Sequence, residues 1–440
     1  MKVGRIPTVL AVYCSSILLL EFMGIFKKLF DTPIPRGVRI LTYATAIRWI
    51  GWGFAESLLP VFIFSFGNTY AEAGLLRSVY DIVFILALPV VGMAADRFRA
   101  TSLILIGLAL YPLVGISYFF AGITGVALFI VFARGLNGLT YAFDAVGRET
   151  YFRRHDSPKT LATIFGYFDS ISNFWWVAAA LAGMILIKYF SIPVLLLMIA
   201  PTSVIAFLLV WSFRKNEESI EKPGVQGKLR RAYREAWYEI GKWNWQLKGV
   251  AMFNFFIAFS SAVVAFFLPI EVYNDGAGYG KTILVGVMFA LPYLLGWILG
   301  KWFDVKGLKT FFYGLAGFTF LFASLAVVDA YWWKVVAAFC IGIVIELLSV
   351  GNNELITVYS QPEHFGRVSG VMRSIYDMGS LIGPLIIGIL IDSQGTRMSF
   401  FLLACLMGIL SLVFYSMRGK MGLLEQETSI PGLHKKLHRF

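Results

Sequence analysis

The sequence predicts an all-α integral membrane protein of twelve transmembrane helices in two pseudo-symmetric six-helix bundles, with a hydrophobic N-terminal segment able to form a further helix. Three observations carry this. The chain of 440 residues is 58% hydrophobic and 15% charged, against about 45–50% and about 25% in soluble domains. Its apolar residues gather in twelve runs, most of about the 20 residues a helix needs to cross a ~30 Å hydrocarbon layer. Its basic residues concentrate on alternate loops, as they do where those loops stay cytoplasmic.

Residues 1–38 form an N-terminal hydrophobic or interfacial segment. Pro7 to Phe26 is long enough to span, but Lys2 and Arg5 flank one side and Lys27 and Lys28 the other, so spanning and lying at the interface both stay open. The first bundle, 39–213, holds apolar runs at 40–66, 72–96, 101–122, 124–147, 160–187 and 190–213. Residues 214–245 are a basic linker. There Leu229, Tyr233, Trp237 and Ile240 recur at helical spacing, with Lys228, Arg230, Arg231 and Arg234 elsewhere, as in an amphipathic helix on an anionic leaflet. The second bundle, 246–417, holds runs at 247–271, 282–303, 309–328, 332–356, 364–391 and 397–417, and residues 418–440 are a basic tail. The runs lack two-residue alternation and are mostly too long for barrel strands, so they read as helices.

With both bundle ends cytoplasmic, 30 of the 38 Lys and Arg fall on inner segments and four, Lys188, Lys281, Lys334 and Arg397, on outer loops. The asymmetry predicts a multi-pass protein of the plasma (inner) membrane and explains a net charge of +12 without nucleic acid. Cys14, Cys340 and Cys405 lie in apolar runs, and His155, His364, His434 and His438 in loops or tail. No GxSxG, HExxH or phosphate-binding loop occurs, so no enzyme, metal or cofactor is expected.

The halves read as repeats. Gly92 and Asp96 match Gly300 and Asp304 at an offset of 208 residues, and PKTLATIFGYFDSI from Pro158 aligns with PEHFGRVSGVMRSI from Pro362 at 204. Charges inside the membrane are selective. The third, sixth, ninth and twelfth runs have none in their interiors, whereas others carry Arg48, Glu56, Arg77, Asp81, Arg134, Asp144, Asp169, Glu346, Arg373 and Asp377. A charge at that depth costs several kcal/mol and faces a cavity or a partner. Arg77/Asp81 and Arg373/Asp377 have the i,i+4 spacing of a pair on one helix face. Glu56, Asp169 and Glu346 have no local partner, and Arg134 has two readings: an ion pair, with Glu56 a candidate, or an anchor for an anionic substrate. Trp49, Trp52, Trp175, Trp176, Tyr293 and Tyr376 are candidates to line the same cavity, with helix packing the competing role, and Asn254 adds a polar group.

These features resemble the major facilitator superfamily of transporters. Gly92-x-x-x-Asp96-Arg97-x-Arg99 looks like its signature loop between helices 2 and 3, and Gly300-x-x-x-Asp304 like the echo between helices 8 and 9. FARGLNG, with Arg134, Asn137 and Gly138, resembles its helix 4 signature, and QPEHFGRVSG from Gln361 its lead-in to helix 11. GYFDSISNFWW lacks the Gly/Pro-rich signature of drug–proton antiporters, and FRKNEES lacks that of sugar porters. The resemblance is thus to the superfamily and to no subgroup.

The resemblance implies a secondary active transporter, monomeric, that moves a small-molecule substrate by alternating access coupled to protons. It puts helices 3, 6, 9 and 12 on the lipid-facing rim. Glu56, Arg134, Asn137, Asp169, Asn173, Glu346, Arg373 and Asp377 become candidates for the substrate and proton cavity, and Gly92, Asp96, Arg97, Gly300 and Asp304 for the gating loops. In that reading the small glycines let backbones approach, and Asp96 latches a neighbouring helix N-terminus. Anionic lipids of the inner leaflet are expected partners of the basic segments. A non-transporting receptor or scaffold on the same fold, and a lipid flippase, are the alternatives.

Overall fold

The computed structural model describes residues 34–155, 161–214, 241, 243–296, 299, 309–359 and 365–417. The expected N-terminal segment at 7–26, nearly all of the basic linker, the basic tail, Gly300 and Asp304 lie outside the described residues.

The described chain is helical throughout its apolar runs. Helix α1, Arg36–Gly53, leads through a 3-10 turn, Glu56–Leu58, into α2, Leu59–Phe64, where Pro60 needs no donor partner in the first turn. The two helices meet at 41° and make one bent span. α3, Tyr70–Arg97, starts at Thr69, whose side chain accepts the Glu72 N–H at 3.1 Å, while the Glu72 carboxylate accepts the Asn68 N–H at 2.6 Å. This Thr-x-x-Glu arrangement fixes where the helix begins. α4, Ala100–Thr124, stops at Gly125, whose φ of 69° is left-handed. α5 is Ala127–His155, α6 is Leu161–Leu186, and α7, Ile192–Leu197, with α8, Ile199–Phe213, makes the last span of the first half.

The second half opens with α9, Trp245–Asn274, capped by the Asn244 side chain accepting the Leu247 N–H at 2.8 Å. α10, Gly278–Ala290, runs on through a 3-10 turn, Leu291–Leu295. α11 is Lys309–Val327 and α12 is Tyr331–Tyr359. α13, Phe365–Met417, has 53 residues, far more than one crossing needs, and breaks at Gly395 with φ 81° and ψ 163°. By length and composition alone, eight described helices can cross a membrane, or nine when the bent pair counts as one span. Charge-bearing α5, the shorter α11 and the second limb of α13 account for the other apolar runs.

One buried hydrophobic core runs through both halves. α4 lies on α5 and α8, and α1 on α6 and α8; in the second half α9 and α11 lie on α13, and α10 on α12. The halves meet where α3 crosses α13, where α6 crosses α10, and where the turn at Glu56–Leu58 and α2 reach α10 and α9. Glycine allows the tightest crossing. A Cβ on Gly388 would stand 2.6 Å from the Tyr70 carbonyl oxygen, and one on Gly74 would collide with the Pro384 carbonyl. The charge-free runs present the apolar rim: Ile106 and Phe120 on α4, Leu208 and Trp211 on α8, Phe320 on α11, and Ile409 and Leu412 on α13 are exposed.

Candidate functional site

Between the halves lies a cavity of about 410 Å³, within the range of pockets that hold small organic ligands. Its wall is divided. α1, the 3-10 turn, α3, α4, α5 and α6 supply every charged lining group, namely Arg48, Glu56, Arg77 and Arg134, together with Asn137, Asn173 and tyrosines. The second half supplies an apolar face that includes Leu268, Pro269, Val285 and Phe289.

Buried charges on the first half are mostly paired. Asp144 on α5 accepts ion pairs from Arg48 on α1 and Arg148 on α5, both at 3.1 Å, and the Arg48 guanidinium lies 4.6 Å over the Tyr111 ring. Arg77 pairs with Asp81 one turn on, and Ser380 of the second half joins both, accepting from Arg77 at 3.1 Å and donating to Asp81 at 3.3 Å. Arg134 differs. It is 6% exposed, its Nη2 donates to the Arg77 carbonyl at 2.9 Å, and its guanidinium lies 4.9 Å over the Tyr80 ring. Among the described residues no carboxylate comes within 4.0 Å of it. The ion pair with Glu56 is thus absent here. Glu56 accepts the Trp176 indole N–H at 2.5 Å and stays within electrostatic reach of Arg48 and Arg134.

Of the predicted cavity residues, Glu56, Arg134, Asn137 and Asn173 line one space, and Trp49, Trp52, Trp176 and Tyr293 join them. Asp169, Glu346, Arg373 and Asp377 do not line it. Glu346 lies against Gly296 and within electrostatic reach of Asp169 across the halves and of Tyr293 in the wall. Arg373 pairs with Asp377 at 3.2 Å, its side chain 55% exposed. Trp175 is exposed and Tyr376 is half-buried outside the cavity wall. Asn254 ties three helices of the second half, accepting from Asn352 at 2.9 Å and donating to the Met372 carbonyl at 2.6 Å.

One end of the cavity is shut. The Tyr70 and Ala71 N–H groups, first in α3, each donate at 2.8 Å to the two oxygens of Asp392 on α13. Asn274 donates to the Tyr70 hydroxyl at 2.9 Å, and Ser78 to the Leu381 carbonyl at 3.1 Å. At the opposite end Gly92, Asp96 and Arg97 form the last turns of α3. Among the described residues nothing lies within 4 Å of where a Gly92 Cβ would stand, and Arg97 is exposed; the Asp96 side chain, Gly300 and Asp304 lie outside the described residues. At the shut end Gly74 and Gly388 make the backbone contact that small residues permit. Asp392 was not singled out by sequence. Its only signal is a carboxylate at the end of an apolar run, a place where acids are common.

Beside the shut end, the carboxylates of Glu271, Asp275 and Asp329 cluster closely enough to suggest a metal. Lys334 sits among them, 2.7 Å from Asp329, 4.0 Å from Glu271 and paired with Asp275, so a side-chain cation already fills the centre. Arg397 adds a second cation to Asp329 at 2.6 Å.

The model of the Major Facilitator Superfamily matches residues 41–377 and 298–431. No curated protein sequence matches the chain. Among solved structures, the nucleoside transporter NupG aligns with a TM-score of 0.68 at 15% identity, covering 87% of this chain and 99% of that one. A bacterial homologue of the human lysosomal transporter Spinster, inward-facing and unoccupied, aligns with a TM-score of 0.68 at 14% identity, covering 88% and 97%. The human organic anion transporter TETRAN aligns with a TM-score of 0.58 at 12% identity, covering 86% and 99%. At these identities the likeness is one of fold.

Proposed function

The chain belongs to the Major Facilitator Superfamily, and from that premise we propose that it carries a small solute by alternating access, its halves 39–213 and 246–417 rocking about the cavity. It is a membrane transporter and not an enzyme. The observation that carries alternation is the one-sided closure. Among the described residues, the hydrogen bonds joining the halves all lie between the start of α3 or its near turns and α9 or the middle of α13. A second conformer requires that set to break and another to form beyond the cavity.

The closed end carries the turns with Lys188, Lys281, Lys334 and Arg397, which are poor in basic residues, and among the described residues the other end carries Arg97, Arg99, Arg153 and Arg154. By the positive-inside rule the open end faces the cytoplasm of a plasma-membrane protein. The conformer is then inward-facing and the protein works as a monomer, with the basic segments 1–38, 214–245 and 418–440 at the anionic leaflet.

Proton coupling is assigned to Glu56. It stands in the 3-10 turn at the joint of the bent span, accepts from Trp176 on α6, and belongs to a turn packed on α10 of the other half. A carboxyl group walled by both halves meets different surroundings in the two conformers, so its affinity for a proton differs between them. Asp169 and Glu346, on opposite halves and within electrostatic reach of one another, are the next candidates on the proton path.

The test is reconstitution of the full chain in liposomes under an imposed pH gradient, with a pooled solute panel. Solute-driven proton movement is expected in wild type. Glu56→Gln should abolish it while leaving exchange down a solute gradient. Solute accumulation in wild type that ignores the pH gradient would remove the coupling and leave the transporter.

A further inference from the structure

We propose that the cavity is built for an organic anion with one acidic head and an apolar body, the head held at Arg134 and Asn137 and the body against the second half. This deepens the transporter reading and rests on it. Three separate observations lead here.

The first is charge. Three guanidiniums line the cavity. Arg48 is answered by Asp144 and Arg77 by Asp81, whereas Arg134 has no carboxylate within 4.0 Å among the described residues. Glu56, the one acid in the wall, is engaged by the Trp176 N–H. A buried cation without a counter-charge is costly, even with the Arg77 carbonyl and the Tyr80 ring beside it, and a ligand anion removes that cost only while it is bound. With a proton on Glu56 no other carboxylate in the wall answers Arg134, so proton and anion favour each other's binding.

The second is the polarity of unused hydrogen-bonding groups. The buried side-chain atoms of cavity-lining residues that find no protein partner are Arg48 Nε, Trp49 Nε1 and Arg134 Nε, with the Ser57 and Tyr111 hydroxyls; Arg48 Nη2, also without one, still pairs with Asp144. Guanidinium and indole nitrogens only donate, and hydroxyls donate as readily as they accept. The wall therefore asks for acceptors, which carboxylate, sulfonate and phosphate heads supply. An amine or guanidine ligand would add donors to donors.

The third is the opposite wall. Leu268, Pro269, Val285 and Phe289 offer no charge and little polarity, so an ion hydrated on all sides would lose water there for no return. An aromatic or branched aliphatic body gains from the same contact, and about 410 Å³ accommodates one.

The test uses the purified full chain in detergent and four matched probes: 3-phenylpropionate, its amide, 3-phenylpropylamine and propionate. Binding is read as a rise in melting temperature and as a change in tryptophan fluorescence, since Trp49, Trp52 and Trp176 line the site. The carboxylate is expected to raise the melting temperature, propionate much less, and the amide and the amine not at all. Arg134→Gln should weaken the carboxylate on the order of 10- to 100-fold, as for the loss of a charged hydrogen-bond set, and Arg134→Lys by less. Comparing carboxylate with amide in wild type needs no variant, so it decides even if Arg134→Gln fails to fold. Equal effects of amide or amine, no effect of any probe, or a carboxylate effect that survives Arg134→Gln overturns the proposal. Uptake into liposomes is read separately. Carboxylate binding without uptake would count against alternating access and leave this assignment standing, whereas uptake of the amine in preference would do the reverse.

Discussion

Asp144 holds Arg48 and Arg148 at 3.1 Å each, its side chain 2% exposed. Neutralising it strands two guanidiniums away from water, and breaking a buried pair in this way costs roughly 3–5 kcal/mol. Asp144→Asn is expected to lower the thermal unfolding temperature of the solubilised protein sharply. Adding Arg48→Met should restore part of the loss, since the stranded charge goes with its partner. An unchanged unfolding temperature in the single variant would count against the triad as a structural tie. The sequence showed which helices carry charge, because hydrocarbon makes a misplaced charge expensive. It did not show how the charges pair, since Arg48 and Asp144 are 96 residues apart and only the folded first half brings their side chains to 3.1 Å. Arg148 falls just beyond the apolar run that stops at 147, whereas α5 continues to His155. Hydropathy marks where oil ends, and a helix runs on into water.

At the scale of the element, the contact between α3 and α13 joins the halves. The first N–H groups of a helix lack intrahelical partners and carry its positive dipole end. Thr69 takes one of these in α3, and Asp392, from the other half, takes two. Asp392→Asn keeps the shape but removes the charge, and a carboxylate at a partly buried helix N-terminus is worth up to ~2 kcal/mol. The closed end should then open more often, by about 10-fold. The measurement is thiol labelling of a single cysteine introduced at Ser57 in the cavity wall, in a chain whose Cys14, Cys340 and Cys405 are replaced by Ser. Labelling from that side at the wild-type rate would show that Asp392 does not hold the end shut. A carboxylate latching a helix N-terminus was foreseen from the sequence at Asp96, whose side chain lies outside the described residues; one is seen at Asp392. The repeated loop motif drew attention to one end of the bundles, and a latch between halves leaves no local pattern because its two sides are 322 residues apart. Similarly, the polar gap at 392–396 reads as a loop, yet the chain turns there on Gly395 alone.

At the scale of the molecule, the twelve apolar runs and the charge-free rim helices were legible because the bilayer imposes length and polarity directly. The cavity was legible in part: its polar wall, with Glu56, Arg134, Asn137 and Asn173, is marked by groups that oil excludes, whereas its apolar wall carries nothing to mark it. A different boundary condition governs the water-facing turns. Lys334 and Arg397 beside Asp329 hold its carboxyl below the usual carboxylate range. Its contribution to stability is therefore present above the ordinary value of about 3.9 and disappears as pH falls through the lower folded value. Wild type is expected to melt slightly higher than Asp329→Asn at neutral pH, with the gap closing below about pH 4. Asp329 is well exposed, so the gap is small. A difference that persists in acid would mean that something other than charge ties this turn.

The split lining has a mechanical corollary. If every charged grip on a passenger comes from residues before 214 and the facing wall is greasy apart from Tyr293, the cargo travels with the first bundle, and the second glides past it like a piston sleeve. Remodelling the sleeve should then retune which bulk is accepted, and remodelling the grip which ionic character is accepted, each without disturbing the other.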